Sequence, residues 1–243
     1  EIQENDVIVT GTPQFEFYLK VELLEKRSNF ANLYGLNQNK KWICFSGDDK
    51  TSSPNDPLYL KDVMDALKLK DSLQNYQVIF RRCPADFSNR YDKVLNEYKQ
   101  IISIDPKWFT KNTGWNSFFP QYDDVGLLAN LIHNCDLVIN VGSTMAHDFA
   151  VLNKPCLYLN YDKKEHSKWS SKVAYNYQHF STMEGLDAVG WLNNAEEIGD
   201  KIEMALKFPD QVGKDRKKWL EKVVLHPLEE NSKKIAHVLL NPN

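Results

Sequence analysis

The sequence lacks the features that define several common classes of protein. No run of residues approaches the ~18 consecutive apolar residues that a membrane-spanning helix needs, and no signal peptide is visible. The 30 basic and 33 acidic side chains give a net charge of -3, so no excess of positive charge attracts nucleic acid or an anionic membrane. We therefore expect a cytoplasmic protein that does not bind nucleic acid.

Cysteine is scarce and scattered, which argues against disulfides and structural zinc. Three of the four cysteines lie in or beside apolar runs, where the side chain behaves as a small hydrophobic group, and this favours a reducing compartment. No CxxC pair is present, and the acidic pairs Asp48-Asp49 and Asp123-Asp124 have no partner ligands at metal-binding spacing. We expect these pairs to cap helices or remain solvated, and we expect neither a metal nor another cofactor. The cysteines are Cys44, Cys83, Cys135 and Cys156.

What the sequence does contain is a regular alternation of β-type and helical segments. Apolar, β-branched runs that are nearly continuous are typical of strands buried on both faces of a parallel sheet. The segments between them have helical periodicity, which predicts βαβ units. We expect an α/β fold: a Rossmann-like, doubly wound, mainly parallel sheet of about six strands, with helices at the C-terminus. The predicted strands are 6–11, 41–47, 76–82, 100–106, 136–142 and 155–161, and the predicted helices are 57–69, 123–135, 195–208 and 214–240.

The first apolar run stands apart from the others. About thirty polar or mixed residues separate it from the second run, more than a compact βα unit usually needs. The Asn-rich stretch 28–40 shows no clear period and suits a connector. We predict that residues 1–36 are an interdomain segment or the remnant of an N-terminal domain, and that residues 37–243 form a nucleotide-binding Rossmann-like domain.

The strongest candidate for ligand binding is the turn after the fifth run, formed by Gly142, Ser143 and Thr144 (the Gly-Ser-Thr turn). Glycine allows a sharp turn, serine is a favoured N-cap, and free N–H groups of Thr144 and Met145 at a helix start would bind a phosphate. Asp148 lies one helical turn further on, at a distance that suits a ribose hydroxyl beside the phosphate. The alternative is that the turn only caps a helix.

Other strand ends carry suitable polar groups. Ser46 and Gly47 follow the second run, Arg82 ends the third, and Gln121 and Tyr122 precede the helix at 123–135. Ligands of open α/β sheets bind beyond the carboxyl ends of the strands, where such loops converge. For Arg82 a surface salt bridge is the commoner role on general grounds. No GxSxG nucleophile elbow is present, so the sequence gives no reason to expect a serine hydrolase.

The order of these pieces resembles the C-terminal, nucleotide-binding half of GT-B glycosyltransferases. The resemblance covers roughly residues 40–165 and includes SGDD, VIFRRCPAD and, most specifically, DLVINVGSTMAHDFAVLNKPCLYLNY, while VTGTPQF (9–15) is similar to the segment that joins the two GT-B domains. It extends to the glycerophosphotransferases of wall teichoic acid synthesis and to non-hydrolysing UDP-N-acetylglucosamine 2-epimerases. The epimerases have a His-Arg-Glu-Asn type loop where this chain has SGDDKTSS, which argues against an epimerase.

The resemblance implies a role for each candidate residue. Ser143 and Thr144 would contact a diphosphate, Asp148 the ribose and Arg82 a phosphate. The loop at Ser46 and Gly47 would close on the phosphates, and Gln121 or Tyr122 would lie near the base, with no metal required. Nearly all of the N-terminal domain of GT-B enzymes, which holds the acceptor and usually the catalytic base, is missing from this sequence.

The implied function is therefore part of an activated-sugar transfer, in surface polysaccharide or glycoconjugate synthesis. The partners would be a nucleoside-diphosphate sugar and an N-terminal acceptor domain or partner subunit, and the catalytic base would lie outside this chain. Two alternatives stay open: a CDP-alcohol phosphotransferase of the teichoic-acid type, and a non-catalytic nucleotide-binding subunit of a two-chain transferase. The basic stretch 214–222 has too few apolar residues for an interfacial helix, so peripheral membrane contact is not indicated.

Overall fold

A computed structural model of the chain describes residue 3 and residues 7–110, 117–166, 168–225 and 227–241. Six parallel strands form one sheet in the order β3-β2-β1-β6-β7-β8. The reversal of strand order between β1 and β6 is the doubly wound Rossmann-like arrangement that the sequence predicts. The six strands are β1 (Lys41–Ser46), β2 (Tyr76–Arg81), β3 (Ile102–Ser103), β6 (Leu137–Asn140), β7 (Cys156–Leu159) and β8 (Gly190–Leu192).

Helices follow most of the strands, and a small antiparallel hairpin precedes the fourth helix. The hairpin pairs β4 (Trp108–Thr110) with β5 (Phe118–Pro120). The helices are α1 (Arg27–Tyr34), α2 (Asp56–Leu69), α3 (Asp92–Glu97), α4 (Tyr122–Asn134), α5 (Met145–Val151), α6 (Lys172–Tyr175), α7 (Gln178–Ser181), α8 (Ile198–Lys207), α9 (Arg216–Val224) and α10 (Asn231–Leu240). Within the described ranges, no helix is both long and apolar enough to cross a bilayer.

Side chains of the central strands alternate between two hydrophobic layers, one on each face of the sheet. In β1, Trp42 and Cys44 belong to one layer, whereas Ile43 and Phe45 belong to the other. This alternation follows from the two-residue repeat of a strand. Burial on both faces explains why the runs read as continuously apolar in the sequence.

The N-terminal segment packs against the first of these layers. Pro13–Leu19 is a 3-10 helix that buries Phe15 and Tyr18, and α1 adds Phe30 to the same layer. The amide of Asn130 on α4 accepts a hydrogen bond from the Glu25 N–H at 2.7 Å. Residues 13–36 are therefore packed against the core formed by residues 37–243.

Several expectations about individual elements were wrong. Residues 7–11 of the first predicted strand form no strand, and Val9 is 71% exposed, because no neighbouring strand pairs with this run; residue 6 lies outside the described residues. The expected connector at 28–40 contains α1, whose helical character its polar composition concealed. The sequence analysis also missed β8, a three-residue strand too short to give a hydrophobic run.

The predicted C-terminal helix 214–240 is two helices, α9 and α10. Leu225 adopts a left-handed conformation with φ of 66°, and Pro227 follows, so the helix cannot continue through this point. Trp219 and Leu220 of the basic stretch 214–222 are buried. The apolar face of α9 is thus packed inside the protein.

Candidate functional site

A cleft of about 480 Å³ lies at the carboxyl ends of β1, β2 and β6, where the strand order reverses. This is the position at which open α/β sheets bind ligands. Six of the nine predicted site residues line it, and they come from three separate loops. These six are Ser46, Gly47, Arg82, Ser143, Thr144 and Asp148.

The Gly-Ser-Thr turn has a backbone conformation that requires glycine at position 142. Gly142 has φ of +56°, and a Cβ at this position would lie 2.8 Å from the Ala174 Cβ, so a side chain is excluded by both strain and contact. The Oδ1 of Asn140, at the end of β6, accepts a hydrogen bond from the Ser143 N–H at 3.1 Å. Gly142 thereby shapes the cleft without lining it.

The start of α5 differs from the expectation in one respect. Thr144, not Ser143, is the N-cap residue. The Ser143 Oγ accepts a hydrogen bond from the Met145 N–H at 3.4 Å. Contrary to the prediction, the Met145 N–H is therefore not free to bind a ligand. The side chains of Ser143 and Thr144 nevertheless both line the cleft.

Asp148 has a buried carboxyl group with a partner that the sequence analysis missed. Its Oδ1 accepts a hydrogen bond from the Tyr18 hydroxyl at 2.9 Å, across 130 residues of sequence. Burial raises the pKa of Asp148 to about 7, while the Tyr18 hydrogen bond and the charge of Arg81 oppose this rise. Gln14 and Phe17 also line the cleft, so the N-terminal segment forms one of its walls.

Two adjacent arginines at the end of β2 line the cleft, although the sequence predicted a phosphate contact for Arg82 only. Arg82 lines the cleft, but its Nη1 donates to the Ser88 carbonyl at 2.6 Å and its Nε lies 3.6 Å from Asp105 Oδ1. Arg81 is only 4% exposed and also lines the cleft. Its Nη2 donates to both carboxylate oxygens of Asp124 at 2.9 Å.

Asp124 is not the solvated or helix-capping residue that the sequence predicted. It is 5% exposed and accepts two further hydrogen bonds, from the Lys107 N–H at 2.8 Å and from the Trp108 indole N–H at 2.9 Å. The hairpin β4–β5 supplies Trp108. Sequence alone did not reveal the hydrogen bond between Trp108 and Asp124, because the two residues are far apart along the chain. The sequence did contain one indication of the ion pair: Asp124 lies in the first turn of a predicted helix, and Arg81 lies at the end of a predicted strand.

The other acidic pair divides between two roles. The Asp49 carboxylate accepts hydrogen bonds from the Thr51 and Ser52 N–H groups at 2.7 and 3.1 Å, which fixes the turn after β1. Asp48 lines the cleft, and burial, followed by the charge of Asp56, raises its pKa to about 7. This residue is therefore an unpredicted part of the site.

Gln121 and Tyr122 lie outside the cleft. Gln121 is the exposed N-cap residue of α4, and Tyr122 is 68% exposed beside a different groove. Pro120 and Val125 line the cleft in their place, because the first turn of α4 directs its inward face towards β2. Together the cleft residues present arginine, hydroxyl and carboxyl groups, a combination suited to a ligand with both phosphate and hydroxyl groups.

Comparison with known proteins gives matches in structure only. No protein-family model matches the chain, and no curated protein matches its sequence. The fold is similar to that of UDP-GlcNAc 2-epimerase from Neisseria meningitidis bound to UDP-GlcNAc, with a TM-score of 0.56 and 13% identity over 98% of this chain and 56% of that one. The wall teichoic acid polymerase TagF gives a TM-score of 0.56 and 18% identity over 98% of this chain and 52% of that one.

A third similar structure is UDP-GlcNAc 2-epimerase from Methanocaldococcus jannaschii. Its TM-score is 0.55 and its identity 14%, over 99% of this chain and 57% of that one. The chain thus spans about half the length of the solved structures that it matches. These similarities are similarities of fold, and they confirm the Rossmann-like arrangement of the sheet.

Proposed function

We propose that the chain is the donor-binding half of a nucleotide-sugar-dependent glycosyltransferase of the GT-B type, acting in surface polysaccharide or glycoconjugate synthesis. The observation that carries the proposal is the cleft at the strand-order reversal, where six of nine independently predicted residues meet. The similar epimerase from Neisseria meningitidis is bound to UDP-GlcNAc, a ligand of the proposed class. The chemistry is that of a donor whose diphosphate leaves the anomeric carbon of the sugar.

In this reaction the cleft would bind the leaving diphosphate and stabilise its negative charge. Ser143 and Thr144 would donate hydrogen bonds to the phosphates, and Asp148 would accept hydrogen bonds from the ribose. Positioned donors of this kind lower the barrier because they act where charge develops. The acceptor and its general base would belong to a second domain or subunit, so we expect this chain alone to bind the nucleotide without turning over the donor.

Calorimetry of UDP binding tests the proposal. We expect a dissociation constant between about 10 μM and 1 mM, since no second domain closes over the ligand. Combining Ser143→Ala with Thr144→Val should weaken binding about tenfold or more, because two hydrogen bonds of ~1 kcal/mol each are lost. Ser181→Ala, which removes an exposed hydroxyl outside the cleft, is the control and should leave affinity unchanged.

Two results would contradict the proposal. The first is a wild-type chain that binds no nucleoside diphosphate at millimolar concentration. The second is an unchanged affinity in the Ser143→Ala, Thr144→Val variant, which would make the Gly-Ser-Thr turn a helix cap only.

A CDP-alcohol phosphotransferase of the teichoic-acid type is the second candidate. Among the similar structures, one of TagF contains CDPG, and such a donor would use the same nucleotide site with a different acceptor chemistry. Titration with CDP and CMP beside UDP separates the candidates. A preference for cytidine nucleotides of tenfold or more would favour the phosphotransferase over the glycosyltransferase.

A further inference from the structure

The cleft contains a buried cation with an unsatisfied hydrogen-bond donor. Arg81 is 4% exposed, and its Nη1 has no hydrogen-bond partner among the described residues. A buried guanidinium normally has all its N–H groups paired, because an unpaired donor out of water costs free energy. Since Arg81 lines the cleft, an acceptor that enters the cleft can satisfy this donor.

The opposite side of the same guanidinium is firmly held. Nη2 donates to both oxygens of Asp124 at 2.9 Å, and Asp124 in turn accepts from the indole N–H of Trp108 at 2.9 Å. Both oxygens of Asp124 are therefore engaged in hydrogen bonds. This arrangement orients the guanidinium before any ligand arrives, and preorganisation of this kind reduces the entropy lost on binding.

The position of Arg81 within the sheet fits a phosphate ligand. Arg81 pairs in register with Ser46, and its carbonyl accepts a hydrogen bond from the Gly47 N–H at 2.9 Å. The residue thus lies beside one predicted phosphate-contacting loop and faces the other, which carries Ser143 and Thr144, across the same cleft. Guanidinium binds phosphate oxygens through short, charge-assisted hydrogen bonds.

Arg82 is less suited to this role. Its Nη1 already donates to the Ser88 carbonyl at 2.6 Å, and its Nε faces Asp105 at 3.6 Å. A phosphate would have to compete with these partners, whereas Nη1 of Arg81 has none among the described residues.

We propose that Arg81 is the residue that binds the phosphate charge of the ligand, and that Asp124 and Trp108 are positioning residues that orient it. The proposal rests on the proposed function only for the nucleotide part of the ligand. Inorganic pyrophosphate, which has no base or sugar, probes the Arg81 contact independently.

Calorimetry with UDP, uridine and pyrophosphate tests the proposal on the wild type, Arg81→Gln and Arg82→Gln, with Arg216→Gln, an equally buried arginine outside the cleft, as the matched control. Arg81→Gln should weaken UDP and pyrophosphate binding about 10- to 100-fold, the effect of losing a charge-assisted hydrogen bond. Uridine affinity should change less than about twofold, and so should all three affinities in Arg216→Gln, while Arg82→Gln should lose less UDP affinity than Arg81→Gln. A general loss of structure would instead lower uridine and UDP affinity together.

Two further variants keep the test decisive if Arg81→Gln does not fold. Arg81→Lys keeps the charge but cannot contact Asp124 and a phosphate at once, so it should weaken UDP binding about 5- to 20-fold. Trp108→Phe removes one hydrogen bond from Asp124 and should weaken UDP binding about 2- to 5-fold while sparing uridine.

The outcomes separate this inference from the proposed function. Wild-type affinity for UDP and pyrophosphate in folded Arg81 variants, or an equal loss in Arg82→Gln, would overturn the role of Arg81 and leave the nucleotide site standing. Pyrophosphate binding that depends on Arg81, without any nucleotide binding, would support Arg81 and contradict the proposed function.

Discussion

Asp148 has an acidic side chain in surroundings that oppose its ionisation. It is 5% exposed, and burial raises its pKa from 3.8 to about 7. Between these two values the folded protein binds more protons than the unfolded chain, so the stability contributed by this group falls as pH rises. The Tyr18 hydrogen bond offsets part of this loss, because it favours the charged form.

We predict that Asp148→Asn removes this pH dependence. The free energy of unfolding of the variant, relative to the wild type, should rise by up to about 1.4 kcal/mol per pH unit between pH 4 and 7. At higher pH this difference should stay constant. In Tyr18→Phe the hydrogen bond that lowers the Asp148 pKa is lost. The pH range over which stability falls should therefore extend above pH 7. Urea unfolding at a series of pH values measures both effects.

Asp123→Asn is the matched control for this experiment, since Asp123 is the exposed neighbour of buried Asp124. Its free energy of unfolding should follow the wild type at every pH. A constant difference between the wild type and Asp148→Asn from pH 4 to 8 would show that Asp148 does not titrate in this range.

At the scale of the residue, the sequence predicted which side chains meet in the cleft better than it predicted their contacts. The glycine, serine and threonine of the Gly-Ser-Thr turn were found because their backbone chemistry is local. Arg81 and Arg82 could not be told apart, since adjacent strand residues point to opposite faces and the position of α4 decides which one meets Asp124. Tyr18 was missed because its contact with Asp148 spans 130 residues.

At the scale of the element, Lys154 connects the two helices whose first turns border the cleft. It follows α5, and its Nζ donates to three carbonyls at the end of α4, those of Ile132, His133 and Cys135, at 2.8, 2.5 and 2.6 Å. A lysine at a helix C-terminus satisfies carbonyls that have no partner within the helix and interacts favourably with the helix dipole.

We predict that Lys154→Met lowers the free energy of unfolding by about 1–3 kcal/mol, because buried carbonyls lose their donor. Lys41→Met is the matched control: Lys41 forms only a partly exposed ion pair with Asp136, which is worth about 0–1 kcal/mol. Denaturant unfolding of the two variants compares them directly. Equal losses would mean that the contacts of Lys154 with α4 contribute no more than a surface ion pair.

The strands show which elements a sequence can predict. The strands that contribute to both layers and are paired on both edges, β1, β2, β6 and β7, were predicted from apolar runs to within two residues at each end. The run at 6–11 has the same composition but no partner strand, and pairing cannot be deduced from one segment alone. The hairpin β4–β5, which positions Trp108, has strands of only three residues and left no periodic signal.

At the scale of the whole molecule, the cleft is lined by charged side chains of both signs. Arg81 and Arg82 line it together with Asp48, Asp124 and Asp148. Among the described residues, no three His, Cys, Asp or Glu side chains are grouped so that they could hold a metal ion. Anion binding in such a cleft depends on hydrogen-bond donors and guanidinium groups.

We therefore predict that UDP binding does not require a divalent cation. The dissociation constant measured by calorimetry should agree within about twofold in EDTA and in millimolar magnesium, since Mg²⁺ binds weakly without positioned carboxylates. Mg²⁺ bound to UDP in solution is accounted for by fitting the titration to the concentrations of free and Mg²⁺-bound UDP. A tenfold or larger loss in EDTA would contradict a metal-independent site.

The hydrogen bonds of the cleft's N-terminal wall bear on when the cleft is completed during synthesis of the chain. Its 3-10 helix is fastened to residues that emerge from the ribosome about two hundred positions later: the Thr12 N–H donates to the Val224 carbonyl at 3.1 Å, and the Ser232 hydroxyl donates to Glu16 at 2.7 Å. Until α9 and α10 have been made, the segment that carries Tyr18 can form its hydrogen bond with Asp148 but lacks the two that these later helices supply. α9 and α10 thus complete the attachment of the cleft's N-terminal wall after the sheet has been made.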